Sequence, residues 1–102
     1  MTKTYGMLCK ADGQRGFTGY SLSLTRDDAL RVSNLLSDRI GKVVTLSGGR
    51  TMTRQSATTI SYANPHQVGS ARDATLIAES LKEGLNDILE QSRLGRNDDE
   101  DD

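Results

Sequence analysis

Side chains that carry catalysis or bind metals are sparse in this chain. Its one histidine, His66, follows Pro65, and its one cysteine, Cys9, lies midway along an apolar, strand-like segment. One histidine and one cysteine without clustered carboxylates cannot form a zinc site. A Cys9–His66 nucleophilic pair is chemically conceivable, but a cysteine on the core face of a strand acts as a small apolar residue. Without a cofactor motif or a polar triad, the sequence predicts no enzyme, no cofactor and no metal.

Residues 47–54 have the composition of an anion-binding loop. Adjacent glycines allow successive N–H groups to converge on one anion, and arginine and hydroxyl side chains add donors that suit phosphate. The lysine and hydroxyl that complete a P-loop are absent, and a Gly-Gly pair is equally typical of a hairpin turn with solvated arginines. Both interpretations stay open at this point. The candidate phosphate-binding residues are Gly48, Gly49, Arg50, Thr51 and Arg54.

The outward face of the first two predicted strands combines an aromatic ring with basic side chains. Lys10, Arg15 and Phe17 lie on this face beside Leu8. An aromatic ring flanked by basic residues on an open sheet is a common way to hold single-stranded nucleic acid, through stacking and phosphate contacts. An exposed Phe–Leu patch suits a protein partner equally well. The pattern predicts a binding surface and leaves the class of ligand open.

Those two strands are predicted from alternation. Residues 4–11 and 17–24 each place apolar side chains at every second position, and the Asp-Gly pair that follows the first segment is a strong signal for a two-residue turn. That turn would set Tyr5 opposite Tyr20. The predicted core face consists of Tyr5, Met7, Cys9, Tyr20, Leu22 and Leu24.

A helix is predicted directly after this hairpin. Thr25 and Asp28 form a variant of the capping box at its start, and Gly41 is a typical residue at a helix end. Apolar residues at helical spacing form one stripe along it, which we expect to face the sheet. The stripe consists of Ala29, Val32, Leu35, Leu36 and Ile40.

Two further strands are predicted, at residues 42–47 and 56–63. The intervening residues 48–55 form either a tight turn between long strands or a mobile basic loop. The tight-turn register would set Val44 opposite Thr53, which is a poor match for a core. This mismatch favours the loop.

The clearest periodicity predicts a second helix over residues 71–93. Ser70 and Asp73 predict its N-terminal cap. Gly84 lies at the edge of its apolar stripe, where glycine costs about 1 kcal/mol relative to alanine. We therefore expect a close neighbour at Gly84, either the sheet or the same helix of a second subunit. A homodimer would form through this helix or through the open face of the sheet.

These elements follow the order ββαββα and predict an α+β fold, a four-stranded antiparallel sheet with both helices packed on one face. A chain of 102 residues is expected to form one domain, assigned to residues 1–95. Residues 96–102 are rich in carboxylates and are predicted to be a flexible acidic tail. The single cysteine and the lack of a signal-like or membrane-spanning segment predict a cytoplasmic protein without membrane contact.

The net charge of −1 conceals an asymmetry. The last five residues carry five of the 14 acidic side chains, whereas residues 1–72 carry ten basic and four acidic ones. A basic body predicts a polyanionic partner, and a flexible acidic tail would compete with phosphates for the same surface. The tail is explained equally well by solubility or by recruitment of a second protein.

Three functions are consistent with these features, and all are binding without catalysis. The first is binding of nucleic acid, with single strands favoured, through the basic sheet and loop surface. The second is a small protein-interaction module, such as the inhibitors and adaptors of larger host complexes that phages encode. The third is capture of a phosphorylated small ligand or nucleotide by residues 48–54.

Overall fold

The computed structural model describes residues 3–13, 16–69 and 72–94, without the side chains of residues 16–18 and 92–94. The predicted acidic tail, residues 96–102, lies outside the described residues. These described residues form an α+β fold with two helices and one antiparallel sheet. In chain order the elements are β1 (Thr4–Gly13), β2 (Gly16–Thr25), α1 (Arg26–Leu35), β3 (Val43–Thr45), β4 (Thr51–Arg54), β5 (Thr59–Ala63), β6 (Asp73–Ile77) and α2 (Ala78–Leu94).

The predicted fold class is confirmed, but the predicted number of strands is wrong. The sheet has six strands rather than four, in the order β2-β1-β6-β5-β4-β3, and every neighbouring pair is antiparallel. The two additional strands are β4, within the segment expected to be a loop, and β6, within the segment expected to be helical. Both segments are extended because each pairs with the strands on either side of it and so completes the sheet.

Strand β4 replaces the predicted mobile loop. Its central residue Met52 pairs with Val44 on β3 and with Tyr62 on β5, and its side chain is fully buried. The sequence-based register missed this match by one residue, which turned Met52 away from the core and made the hairpin look unfavourable. The connection to β3 is short, and the N–H of Leu46 donates to the carbonyl of Arg50 at 2.8 Å.

Strand β6 replaces the first turns of the predicted second helix. Its residues satisfy both periodicities, because Ala74 and Leu76 alternate toward the core as a strand while Ala74, Ile77 and Ala78 also fit a helical stripe. The strand fills the space between β5 and β1, pairing Leu76 with Ile60 and Ala11. Two sheet edges that would otherwise be unpaired therefore favour the extended conformation.

The first hairpin has the predicted core face but a different register. Tyr5 pairs with Leu24 and Cys9 pairs with Tyr20, and the ladder continues to Gly13 opposite Gly16. The predicted Asp-Gly turn is therefore part of β1. Each residue of β1 therefore pairs with a residue four positions further along β2 than predicted. Because four is an even number, every side chain stays on the predicted face. The hydrophobic pattern consequently fixed the face and could not fix the register.

Helix α1 begins as predicted and ends earlier. The N–H of Asp28 donates to Oγ1 of Thr25 at 3.0 Å, which is the expected N-terminal cap. The helix stops at Leu35, and its C-cap is Leu36 rather than a residue next to Gly41. Ile40, expected on the apolar stripe, is 63% exposed. The predicted helix was thus too long by more than a turn.

Both helices pack on one face of the sheet around a single apolar core. Gly84 of α2 faces Met7 of β1, and a Cβ atom at Gly84 would lie 2.5 Å from Met7 Cε. The close neighbour expected at Gly84 is therefore a side chain of the sheet. Among the described residues, neither helix combines the length and apolar composition that crossing a membrane requires. The largest fully buried apolar side chains are those of Leu24, Val32, Leu35, Met52, Ile60, Leu76, Leu81 and Leu85.

Candidate functional site

The sheet has one face that no described element covers, which we call the open face. Alternation along each strand directs one set of side chains to the helices and the other set to the open face. Thr53, Ser61 and Thr75 are direct neighbours on β4, β5 and β6 and form a row of hydroxyls across it. The described polar and exposed apolar side chains of the open face include Leu8, Lys10, Asp12, Val43, Thr51, Thr53, Ser61, Asp73 and Thr75.

A hollow of about 400 Å³ lies at the centre of the open face. Its polar lining, which we call the hydroxyl hollow, comprises four hydroxyl side chains and two carboxylates. The hydroxyls are half-buried, whereas both carboxylates are exposed at the rim. The lining residues that supply these groups are Asp12, Thr51, Thr53, Ser61, Asp73 and Thr75.

The chemistry of the hydroxyl hollow favours a ligand that donates hydrogen bonds. Hydroxyl oxygens donate and accept, but ionised carboxylates only accept. Amide, ammonium and guanidinium groups therefore fit the hollow, and a phosphate would meet the charges of Asp12 and Asp73. The Arg72 Nε atom lies 4.0 Å from Oδ1 of Asp73, with both side chains more than half exposed, and offsets little of that charge.

The residues predicted on the first hairpin are only partly described. Lys10 and Leu8 project from the open face, and Leu8 is 71% exposed. Gly19 on β2 leaves room for the Leu8 side chain, since a Cβ there would lie 3.4 Å from Leu8 Cδ1. The backbone of Phe17 pairs with that of Asp12. The Phe17 side chain and all of Arg15 lie outside what the structure describes.

The predicted phosphate loop already holds an anion, the carboxylate of Asp28. Ser47 donates to it twice, from its N–H to Oδ1 at 3.1 Å and from Oγ to Oδ2 at 2.6 Å. Gly48 and Gly49 have φ values of 79° and 80°, which lets the chain turn between these donors and β4. An external phosphate at this loop would have to displace Asp28.

The guanidinium group of Arg50 donates its hydrogen bonds to oxygen atoms of the protein itself. Its Nη2 donates to Oδ2 of Asp28 at 3.2 Å, and its Nη1 donates to the carbonyl of Ser23 on β2 at 2.7 Å. Its Nε donates to the carbonyl of Ser47 at 3.0 Å. The side chain is only 13% exposed. Arg50 therefore joins the β3–β4 connection to β2 and to the start of α1.

Arg54 has the corresponding role at the other end of α1. Its Nη1 donates to the carbonyls of Leu35 and Leu36, which lack partners within the helix. Its Nε and Nη2 donate to the carbonyls of Ser56 and Ala57 at 2.9 and 3.0 Å. The guanidinium thus caps the helix and orders the β4–β5 connection. Thr51, the remaining predicted loop residue, belongs to the hydroxyl hollow.

Asp28 is fully buried, and its ionisation is controlled by this network. Burial by itself raises the pKa of Asp28, but the hydrogen bonds from Ser47 oppose that effect. With the backbone of Thr25 and the charge of Arg50, they bring the pKa below its ordinary 3.8. Arg31 adds a further donor to Oδ1 at 3.1 Å. The four donors to the two oxygens satisfy the carboxylate.

Cys9 lies in the core and not in a reactive setting. Its side chain is 2% exposed, and its thiol donates to the carbonyl of Tyr20 at 3.4 Å. Burial raises the pKa of the thiol from 9.0 to about 11, which disfavours the nucleophilic thiolate. His66 lies in the exposed β5–β6 connection, beside Gly49. In the described residues no three His, Cys, Asp or Glu side chains gather as metal ligands.

Sequence reasoning missed most of the hydroxyl hollow. The Thr-Met-Thr and Thr-Ile-Ser segments do alternate polar and apolar residues, and that alternation was the available signal. Which hydroxyls become neighbours depends on the registers of β4, β5 and β6, and the sequence pattern does not determine those registers.

In comparisons with known proteins, no family model matches this chain, and neither a curated protein nor a solved structure matches it significantly.

Proposed function

We propose that this chain is a non-catalytic protein-interaction module that holds a partner protein on the open face of its sheet. The observation that carries the proposal is the hydroxyl hollow, about 400 Å³ of polar space on a face that no described element covers. Exposed apolar side chains beside a polar recess are typical of protein-binding surfaces. Val43, which pairs with Thr53, supplies an apolar contact beside the hollow, and Leu8 supplies a second one further along β1. The hollow supplies specific hydrogen bonds.

The charge of the hollow favours a cationic or amide-bearing group of the partner. Asp12 and Asp73 contribute two carboxylates to its rim, and the hydroxyls of Thr53, Ser61 and Thr75 can complete the hydrogen bonds of an arginine or lysine side chain. We place such a side chain in the hollow as the specific anchor of the interface. Small α+β inhibitors and adaptors of larger complexes would use a surface of this kind.

The nucleic-acid hypothesis has weaker support. Arg50 and Arg54, which were expected to contact phosphates, donate to internal carboxylate and carbonyl oxygens. Lys10 is the one described basic side chain on the open face, and it lies on the same strand as Asp12. The same contacts weaken the case for a phosphorylated ligand at residues 48–54. Protein is therefore the partner class that the described contacts favour.

The experiment is affinity purification of the tagged full chain from a nuclease-treated extract of the cells that produce it. The Ser61→Arg variant fills the hydroxyl hollow, and Ser37→Arg makes the same change at an exposed position outside the open face. We expect a stoichiometric protein to copurify with wild type and with Ser37→Arg, and to be lost with Ser61→Arg.

Two outcomes would contradict the proposal. One is a partner that Ser61→Arg retains, which would remove the hollow from the interface. The other is the absence of any stoichiometric protein, together with salt-sensitive binding of single-stranded DNA or RNA that Lys10→Glu abolishes. That second outcome would establish the nucleic-acid hypothesis in its place.

A further inference from the structure

A second recess lies between the first half of β1 and helix α2, on the side of β1 that faces away from β2. Its volume is about 310 Å³. Gly6 and Leu8 line it from the strand, and Glu83 and Asp87 line it from the helix. We call this recess the strand–helix groove. It is separate from the hydroxyl hollow, which lies at the other end of β1 on the open face.

The strand side of the groove is an unpaired sheet edge. The register between β1 and β6 contains Ala11 opposite Leu76, and β6 ends at Ile77, where the chain turns into α2. No described strand therefore lies beside residues 4–8 on that side. An unpaired edge of this kind is a template for an added strand.

The peptide groups at this edge point into the groove. Antiparallel neighbours alternate between hydrogen-bonded pairs and pairs whose N–H and C=O groups point away from each other. The Ser23 carbonyl accepts a bond from Arg50 on the outer side of β2, so the pair formed by Ser23 and Gly6 is of the second kind. Gly6, and Leu8 two residues later, thus direct their peptide groups away from β2 and toward α2.

The helix side of the groove is acidic. Glu83 and Asp87 are four residues apart, so they lie on one face of α2, and both are exposed. Gln91 continues the same row and also lines the groove. Met7 and Ile88 supply a buried apolar floor. The described lining contains no basic side chain.

We infer that the strand–helix groove binds an extended, lysine- or arginine-bearing segment of a partner protein, which adds a strand to the free edge of β1. Main-chain hydrogen bonds to Gly6 and Leu8 would align the segment, as in other cases of strand addition. Its basic side chains would face Glu83 and Asp87. The chain's own C-terminus does not fit this charge, because residues 98–102 are all acidic. The inference rests on the proposed function in taking the ligand to be a protein.

The test is a titration of the isotope-labelled full chain with a blocked peptide of alternating lysine and valine at low ionic strength, followed by NMR. We expect saturable shifts of the Gly6, Leu8, Glu83 and Asp87 amides. The Glu83→Gln/Asp87→Asn double variant should weaken binding about tenfold, because it removes both carboxylates that face the lysines of the peptide. The control variant Asp27→Asn/Asp38→Asn makes the same change in net charge at exposed positions outside the groove and should bind as wild type does.

A second peptide separates strand pairing from charge attraction. Methylation of alternate backbone nitrogens removes its N–H donors and keeps its charge, so we expect it to lose binding. Equal binding of the methylated peptide, or no saturable shift with the parent peptide, would overturn the inference. Shifts confined to Thr53 and Ser61 would also overturn it, while leaving the proposed function of the open face intact.

Discussion

The Nη2 atom of Arg50 donates a hydrogen bond to Oδ2 of Asp28 at 3.2 Å, across 22 residues of sequence. This ion pair joins the β3–β4 connection to the first turn of α1. Arg54, four residues further on, donates to the carbonyls at the last turn of the same helix. One hairpin therefore holds α1 at both ends with two arginines. These two arginines, which the sequence offered for phosphate contacts, have a structural role here.

Replacing Asp28 with asparagine should destabilise the domain by about 3 kcal/mol, because it leaves Arg50 without its buried counter-charge. The new amide group would also turn N–H donors toward the donors of Ser47. We expect the loss to appear in urea unfolding followed by circular dichroism. The Asp27→Asn variant is the matched control, since Asp27 is exposed in the same helical turn and contributes about 0.5 kcal/mol through the helix dipole. Equal losses in the two variants would contradict the buried network.

The contribution of Asp28 should also depend on pH. Its pKa lies below the ordinary 3.8 in the folded chain, so the unfolded chain binds the proton more tightly. The stability that Asp28 provides is therefore complete above 3.8 and is lost as pH falls through the folded pKa. The difference in unfolding free energy between wild type and Asp28→Asn should shrink across that range. A difference that stays constant from neutral pH into the acid range would show that Asp28 is not ionised in the fold.

Replacing Arg54 with lysine should cost about 2 kcal/mol although the charge is kept. The guanidinium donates in several directions at once, to the end of α1 and to the β4–β5 connection, and an ammonium group cannot reproduce that geometry. Amide hydrogen exchange should accelerate in the last turn of α1. Arg39→Lys, at an exposed position after the helix, should change stability by less than about 0.5 kcal/mol. A neutral Arg54→Lys substitution would mean that charge alone matters.

The elements that local patterns define were predicted well. The Thr25–Asp28 cap was correct because its hydrogen bond joins residues three apart. The core face of the first hairpin was correct because alternation sets the face of a strand. A close neighbour at Gly84 was anticipated because an interior glycine in a helix is costly without a reason, but the sequence left open whether that neighbour was the sheet or a second subunit.

The elements that depend on distant partners were not predicted. Residues 73–77 fit a strand and a helix almost equally, and the free edges of β1 and β5 select the strand. The hydroxyl hollow depends on three strand registers at once. Arg50 has a structural role because it pairs with Asp28, which is far away in sequence. A count of charges therefore could not distinguish a structural arginine from one that is available for binding.

Cys9 should resist modification in the folded chain. With its pKa raised to about 11 by burial, only about one thiol in a thousand is ionised near pH 8, and the side chain is 2% exposed. Alkylation by iodoacetamide, followed by mass spectrometry, should be slow without denaturant and fast in urea. The Cys9→Ala variant should retain partner binding. Rapid alkylation of the native chain, or a loss of binding by a folded Cys9→Ala variant, would restore the case for a reactive cysteine.

Replacing Gly84 with alanine should leave the stability of wild type nearly unchanged, although alanine is the better helix former by about 1 kcal/mol. The new Cβ would lie 2.5 Å from Met7 Cε and 3.4 Å from Met7 Cβ and Sδ, so the Met7 side chain must shift within a packed core. Because Met7 Cε is the far end of a flexible side chain, it can move at a modest cost, which we expect to offset most of the gain in helix propensity.

A double-mutant cycle tests whether Met7 causes that offset. In a Met7→Ala background the obstructing side chain is gone, so the same Gly84→Ala change should stabilise the domain by about 1 kcal/mol. In urea unfolding, the effect should therefore be near zero in wild type and about 1 kcal/mol in the Met7→Ala background. An equal effect in both would show that Gly84 is required for its backbone and not for the space it leaves to Met7. The cycle would then count against the contact between α2 and β1 that also forms the floor of the strand–helix groove.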